Sequence, residues 1–168
     1  MILFHEKPVI TSHYGMRNGS FHPGIDTIPA GSGFWPGIDI HQKAYQIDKR
    51  LSTPILAVAD GKVVFHGIQK GAGLLIVIDY GNLRFSHAHL NIDKKINLQR
   101  DDVVKEGDVI GYMGHSGLLS SEHTHLHLTI IRNPQSNDYF YDRNVVNPLT
   151  VFGEIWNARE GVYEVTLL

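Results

Sequence analysis

Short apolar runs, separated by glycine, asparagine and aspartate, dominate the hydrophobic pattern of the chain. Residues 54–66 (PILAVADGKVVFH) are typical of a strand, an Asp60–Gly61 turn and a second strand. Residues 74–80 (LLIVIDY) are apolar on both faces, as a buried strand would be. Further strands are predicted for residues 83–90, 104–114, 124–131 and 162–168. The pattern therefore predicts a mainly β chain.

The segments between these strands give weaker signals. Residues 29–52 are irregular and are expected to form a long loop or an insertion. Residues 144–152 could hold one short helix, and residues 154–158 are ambiguous between strand and helix. The sequence shows no amphipathic helix of convincing length and no repeat of domain size, so we expect a single domain over residues 1–168.

Composition limits the chemistry that the chain can perform. Its 168 residues, 42% of them hydrophobic and 19% charged, are ordinary for one globular domain. Because the chain has no cysteine, disulfides, thiolate nucleophiles and thiolate metal ligands are excluded. A formal net charge of -2 without a basic stripe argues against binding to nucleic acid. The count that stands out is 11 histidines, so any metal must be held by histidine and carboxylate.

The sequence contains no clear targeting or membrane-spanning segment. Residues 1–10 include Glu6 and Pro8 and lack the long apolar core of a signal peptide. The longest apolar run, Leu74–Ile78, is far shorter than the roughly 20 residues that cross a bilayer. We therefore predict neither a signal peptide nor a transmembrane segment in this chain.

Several histidines alternate with other residues along two of the predicted strands. Because residues i and i+2 of a strand share a face, the histidines of residues 123–128 (HTHLHL) should face one side and the leucines the core. The run His87–Ala88–His89 has the same spacing. Rows of imidazoles are costly inside a core unless each finds a polar partner, but they suit the surroundings of a cation. The pattern favours a metal site over incidental surface histidines.

An upstream pair, His22 and Asp26, would complete such a site. Their spacing of four residues along a strand puts both side chains on one face. Imidazole, carboxylate and a second imidazole form a recurrent catalytic zinc set that leaves the fourth position for water. Zinc lowers the pKa of that water toward about 7, and the remaining histidines would accept its proton or stabilise the oxyanion.

The order of these motifs resembles that of the M23 (lysostaphin/LytM-type) zinc metallopeptidases, which cut peptide cross-links of bacterial peptidoglycan. The resemblance covers residues 10–152. The matching segments, each followed by the family's pattern, are Ile10–Arg17 (ITSHYGMR; ITSxFGxR), Phe21–Asp26 (FHPGID; FHxGxD), Ser52–Val64 (STPILAVADGKVV; GTPVxAxxDGxV), Ser86–Leu90 (SHAHL; YxHL), Val103–Gly117 (VVKEGDVIGYMGHSG; VxxGQxIGxxGxTG) and His125–His127 (HLH; HxH).

The resemblance implies a small, mainly antiparallel β fold, sandwich-like, with long loops and an open groove for an extended peptide. It implies that His22, Asp26 and His127 bind zinc, and that His89 and His125 are the catalytic histidines. The implied activity is that of a zinc endopeptidase acting on the peptide stems or bridges of peptidoglycan. Such an enzyme works on the cell wall, in an extracellular or periplasmic setting or delivered by a phage.

Two alternatives remain open from the sequence. The segments His22–Asp26 (HPGID) and Trp35–Asp39 (WPGID) echo each other. Spacing upstream favours Asp26 as the ligand, whereas the distance to Gly61 favours Asp39; we take Asp26 as the ligand and keep Asp39 as the alternative. The alternative function is a catalytically degenerate LytM-like module that binds or activates other cell-wall hydrolases. Degenerate modules of this kind usually lack the metal histidine or the HxH motif, and this chain keeps both.

Overall fold

The computed structural model describes residues 1–34, 37–135, 144–159 and 161–168. Its strands are β1 (Pro8–Ser12), β2 (Gly15–Arg17), β3 (Ser20–His22), β4 (Gly24–Pro29), β5 (Pro54–Leu56), β6 (Gly61–Gln69), β7 (Gly73–Asp79), β8 (Leu83–Leu90), β9 (Val103–Val104), β10 (Val109–Tyr112), β11 (Leu126–Arg132), β12 (Val145–Val146), β13 (Phe152–Asn157) and β14 (Val162–Leu167). The described helices are α1 (Ile40–Leu51) and two short 3-10 helices, Ser121–His123 and Pro148–Thr150. None of them is long and apolar enough to cross a membrane.

A ten-stranded sheet forms most of the described structure. Its strand order is β13-β14-β1-β4-β11-β8-β7-β6-β9, and β12 pairs with β11 beside this path. The pairs within the sheet are antiparallel, as are those of the two small sheets β2-β3 and β5-β10. The mainly antiparallel β fold inferred from the sequence is confirmed.

The central strands of the sheet are packed on both faces. In β7, Leu74, Ile76 and Ile78 enter the main core, while Leu75 and Val77 pack in a second cluster on the other face. Each of these side chains is at most 1% exposed, so the expectation of a strand buried on both faces is correct. Full burial of one such side chain stabilises a fold by about 1.5–3 kcal/mol.

Helix α1 corrects the expectation that residues 29–52 form a long loop. Asp39 caps its start, because Oδ1 accepts hydrogen bonds from the backbone N–H groups of His41 and Gln42, each at 2.9 Å. Only one residue of the helix, Arg50, is buried. The sequence therefore has no apolar stripe with helical spacing at this place, and the helix could not be recognised from its pattern.

Arg50 fixes α1 to the segment that precedes β11. The residue is 5% exposed, and its Nε donates a hydrogen bond to the carbonyl oxygen of Ser32 at 2.8 Å. Nη1 donates to the carbonyl oxygens of Glu122 and Thr124 at 3.1 and 3.3 Å. The guanidinium also lies over the ring of Phe34, with its carbon 4.3 Å from the ring centroid. These contacts hold α1 against the stretch of chain that leads into β11.

The remaining predictions met different outcomes. The Asp60–Gly61 turn does not close a hairpin, because β5 pairs with β10 whereas β6 pairs with β7 and β9. The short helix expected within residues 144–152 is the 3-10 helix Pro148–Thr150. The ambiguous stretch 154–158 falls largely in β13, which pairs with the predicted C-terminal strand β14.

Candidate metal centre

Strands β3, β4 and β11 bring His22, Asp26 and His127 together. Asp26 and His127 are opposite each other in the antiparallel β4–β11 pair, so their side chains share a face. His127 Nδ1 lies 2.8 Å from Asp26 Oδ1, and His22 Nε2 lies 3.1 Å from the same oxygen. The two nitrogens are 3.0 Å apart. Within the described part of the chain, these buried residues form a group whose potential ligand atoms lie within 4.8 Å of one another.

Gly24 lets the backbone of β4 approach β11 beside this cluster. A Cβ atom at this position would overlap the carbonyl oxygen of Leu128 and come within 3.0 Å of His127 Nε2. The glycine of the FHPGID segment is therefore explained by close backbone approach.

Hydrogen bonds on the outer side of the cluster determine which nitrogen of each imidazole carries the proton. His22 Nδ1 lies 2.8 Å from the carbonyl oxygen of His13 and must hold a hydrogen, because a carbonyl only accepts. Nε2 of neutral His22 therefore presents its lone pair to Asp26. His127 Nε2 pairs with Thr129 Oγ1 at 3.0 Å, and a proton placed there leaves the Nδ1 lone pair facing the cluster. Such outer contacts are typical of metal-binding histidines.

The protonation states of the cluster suit a cation. Burial alone would raise the pKa of Asp26, but hydrogen bonds with His125, His127 and His22 outweigh this effect and hold the pKa of the carboxyl far below its usual value. Burial lowers the pKa of His127. Near pH 7, Asp26 is thus an anion and His127 is neutral, which are the forms in which they can donate lone pairs to a metal.

His89 and His125 flank the cluster. Nδ1 of His125 lies 2.6 Å from the carbonyl oxygen of His123, and Nδ1 of His89 lies 2.9 Å from that of Ser116, so each neutral ring carries its proton on Nδ1. Their ring centroids are 4.9 Å apart, and His125 Nε2 is 3.4 Å from Asp26 Oδ1. Burial lowers the pKa of His89 to about 4. The structure thus places all the preferred site residues close together: His22, Asp26, His89, His125 and His127.

His87 does not join this group, contrary to the alternation expected along His87–Ala88–His89. His89 adopts a left-handed backbone conformation with φ of 60°, which interrupts the regular alternation of faces. His87 instead lies opposite Leu128 of the main core and is fully buried. Its burial lowers its pKa to about 4. In β11 the alternation does hold, since the leucines enter the core and His127 faces the cluster.

Asp39, the alternative ligand, lies outside the cluster. Its side chain caps α1 and the residue is exposed. Residues 35 and 36 of the WPGID segment lie outside the described residues. The geometry therefore favours Asp26 over Asp39.

A cleft of about 530 Å³ opens beside the cluster. Asp26 and His125 contribute to its lining, together with the apolar side chains of Ile10 and Ile28 and the guanidinium of Arg17. Its volume is in the range typical of ligand-binding pockets. Sequence reasoning gave Arg17 no role, although this residue ends the ITSHYGMR segment.

Comparisons with known proteins place the chain among peptidases. The sequence model of Peptidase family M23 matches residues 34–139. The DD-carboxypeptidase/endopeptidase Mpg of Neisseria meningitidis serogroup B is 31% identical over 100 residues, which are 59% of this chain and 20% of that protein. The chain spans about a fifth of the length of the curated relatives that it matches.

Solved structures share the fold. The catalytic domain of the prophage-encoded M23 protein EnpA from Enterococcus faecalis, solved as a point mutant, gives a TM-score of 0.59 at 27% identity and covers 84% of this chain and 88% of that one. The antimicrobial peptidase lysostaphin from Staphylococcus simulans gives 0.56 at 25% identity, over 87% of this chain and 49% of that one. The family match includes Asp39 but begins after His22 and Asp26. The choice between the two aspartates therefore rests on the geometry.

Proposed function

Because the chain belongs to peptidase family M23, we propose that it is a zinc-dependent endopeptidase that hydrolyses peptide cross-links of bacterial peptidoglycan. Relatives named as a DD-carboxypeptidase/endopeptidase and as an antimicrobial peptidase support an action on the cell wall. Such an enzyme meets its substrate in the periplasm or outside the cell. The observation that carries the proposal is the convergence of His22 Nε2, Asp26 Oδ1 and His127 Nδ1 beside the cleft.

Zinc fits the donor set that is present. Two imidazole nitrogens and one carboxylate oxygen are the ligands of many catalytic zinc sites, which keep a further position open. With His22 protonated on Nδ1 and His127 on Nε2, the converging atoms are all lone-pair donors, and a cation between them removes their mutual repulsion. In this proposal His22, Asp26 and His127 hold the ion. When bound, zinc polarises a water molecule and lowers its pKa toward about 7.

His89 and His125 handle protons in the proposed reaction. Neutral His89 keeps an Nε2 lone pair near pH 7, because burial lowers its pKa to about 4, and can orient the attacking water as an acceptor. His125 lines the cleft and has its Nε2 beside Asp26, so it can take the proton that the water loses. As the water oxygen bonds to the carbonyl carbon, the C–N bond breaks and His125 passes the proton to the leaving amine.

Chelation and one ligand substitution test this proposal. We expect the zinc-loaded protein to release soluble peptides from purified peptidoglycan, excess chelator to stop the release, and added zinc to restore it. The variant His127→Ala loses one ligand of the cluster and should be slower by about 100-fold or more. Released peptides are identified and quantified by mass spectrometry.

The matched control for this test is His41→Ala. His41 is an exposed histidine of α1 and lies outside both the cluster and the cleft lining. It should cleave like the wild type. Undiminished cleavage in excess chelator, or by His127→Ala, would contradict the zinc mechanism. Activation of a second wall hydrolase without any cleavage by this chain would favour the regulatory-module alternative.

A further inference from the structure

Arg17 places a positive charge next to the candidate metal centre. Its Nη1 lies 3.4 Å from Asp26 Oδ2, the carboxylate oxygen that faces away from the two ligand histidines, and it also donates a hydrogen bond to Ser12 Oγ. The side chain is 51% exposed, and the residue lines the cleft. A guanidinium in this position can reach a bound substrate without moving far from the cluster.

The small hairpin β2–β3 connects Arg17 to the proposed metal site. Gly15 of β2 is opposite His22 of β3, and Arg17 is opposite Ser20 at the turn end of the hairpin. One short element therefore carries both a candidate zinc ligand and the cation beside it. The cation is part of the same local structure that presents His22.

The other charged side chains that line the cleft are already engaged. Arg50 is buried and donates its hydrogen bonds to backbone carbonyls. Glu122 pairs with Lys43 at 2.6 Å. Arg17 and Asp26 remain as the charged pair beside the cluster. A divalent cation held by Asp26 would offset the carboxylate charge and leave the guanidinium facing a site of net positive charge.

A planar guanidinium next to such a site is suited to a carboxylate. Arginine presents parallel N–H donors that match both oxygens of a carboxylate, and such charge-assisted pairs are stronger than neutral hydrogen bonds. Since Arg17 is in contact with Asp26, a group bound by Arg17 must belong to a substrate residue at the bond being cut or next to it. One residue of extended chain spans only about 3.3–3.6 Å.

We propose that Arg17 binds a free carboxylate on the substrate carbon that is attached to the scissile amide nitrogen. This inference rests on the proposed peptidase function and names the substrate class of that site. In a D-alanyl bond the acyl residue carries only a methyl side chain, so the nearby carboxylate lies on the amine side. Two wall structures have this carboxylate: a stem that ends in D-alanyl–D-alanine and a D-alanyl–diaminopimelate cross-link. An internal glycyl–glycine bond lacks it.

Matched pairs of synthetic peptides test the proposal. The first pair is a D-alanyl–diaminopimelate cross-linked dimer and the same dimer with the carboxylate beside the scissile nitrogen amidated. The second pair is a stem ending in D-alanyl–D-alanine and its C-terminal amide. We expect the zinc-loaded wild type to prefer the acid in at least one pair by about tenfold or more in kcat/KM. The pair that shows the preference identifies the source of the carboxylate.

Substitution of Arg17 should remove this preference. We expect Arg17→Gln to cleave acid and amide at similar kcat/KM, mainly through a higher KM for the acid, and Arg17→Lys to keep part of the preference. The control Lys62→Gln removes a lysine that is similarly exposed, at 56%, and lies outside the cleft lining. It should keep the full preference.

Two further readouts separate this inference from a structural role and from the proposed function. Zinc per chain should be unchanged in Arg17→Gln, and the amine-side product with its free carboxylate should bind that variant about tenfold more weakly than the wild type by calorimetry. Loss of zinc from Arg17→Gln would mean that Arg17 only positions Asp26 and would overturn the inference. Equal cleavage of acid and amide by an active wild type would overturn it while leaving the peptidase function intact. If no peptide were cleaved at all, the proposed function would fail, and equal binding of acid and amide products would then overturn the inference as well.

Discussion

Backbone carbonyls decide where the protons of the site histidines lie. The carbonyl oxygens of His13, Ser116 and His123 each accept from the Nδ1 of a different site histidine. Main-chain acceptors are fixed by the fold, whereas side-chain partners can rotate or be lost by substitution. The Nε2 lone pairs of these rings are therefore available to a metal, a water molecule or a substrate without rearrangement.

The two aspartates of the echoing segments should behave differently when removed. We expect Asp26→Ala to lose zinc, because it removes the anionic ligand atom of the cluster. Asp39→Ala should keep zinc and lower the free energy of unfolding by about 1 kcal/mol, the usual cost of losing a helix cap. Elemental analysis and urea unfolding of both variants check this prediction. Zinc lost from Asp39→Ala and kept by Asp26→Ala would reverse the assignment.

His87 should make the protein less stable in acid. It stays neutral in the folded protein down to its lowered pKa of about 4, whereas the unfolded side chain takes up a proton below its model value of 6.5. The stability that depends on neutral His87 is therefore present above pH 6.5 and is lost as the pH falls toward 4. The lowered pKa corresponds to about 3 kcal/mol over this window.

Replacing His87 with the tyrosine of the related motif isolates this contribution. We expect the free energy of unfolding to fall less between pH 7 and pH 4 in His87→Tyr than in the wild type, by about 3 kcal/mol. The comparison uses the change with pH, so a constant packing cost of the larger ring cancels. His41→Ala, which alters an exposed histidine, should follow the wild type. Parallel curves for His87→Tyr and the wild type would rule out this role.

At the level of elements, α1 reaches the site through one buried arginine. Arg50→Met would leave the carbonyls of Ser32, Glu122 and Thr124 without their donor, and we expect it to lower the free energy of unfolding by about 2–4 kcal/mol. Lys43→Met is the matched control, because it removes an exposed ion pair from the same helix and should cost less than about 1 kcal/mol. Urea unfolding measures both values. Equal costs would mean that Arg50 does not anchor the helix.

The sequence predicts those elements whose pattern follows from their burial. The strand Leu74–Ile78 and the alternation of β11 are read correctly, because apolar side chains fill the core on the expected faces. Helix α1 escapes prediction because its single buried residue is a charged one. The 54–66 hairpin fails because the local turn signal gives no information on the distant partner β10.

The same limits apply to the site. The spacing of the histidines and the motif resemblance nominate the clustered residues, but the placement of His87 depends on the left-handed backbone of His89, which no sequence pattern reveals. The choice between Asp26 and Asp39 likewise needs the register of β4 against β11. Arg17 gains significance only from its distance to Asp26 and its place in the cleft.

At the scale of the whole molecule, the candidate ligands come from segments far apart in the chain. His22 and Asp26 belong to the N-terminal strands, and His127 belongs to β11, which is the neighbour of β4 in the sheet. The unfolded chain does not hold these groups together, so zinc should bind the native state preferentially and stabilise it. The sheet thereby couples a local metal site to the fold as a whole.

The most direct test of the central claim is the zinc content of the folded protein, measured by elemental analysis after zinc loading and extensive desalting. The cluster of His22, Asp26 and His127 predicts about one zinc per chain, as expected of a site with three protein ligands. The same measurement on His127→Ala should give little or none. A wild-type protein that retains no zinc, or a His127→Ala variant that retains as much as the wild type, would contradict the proposed metal centre.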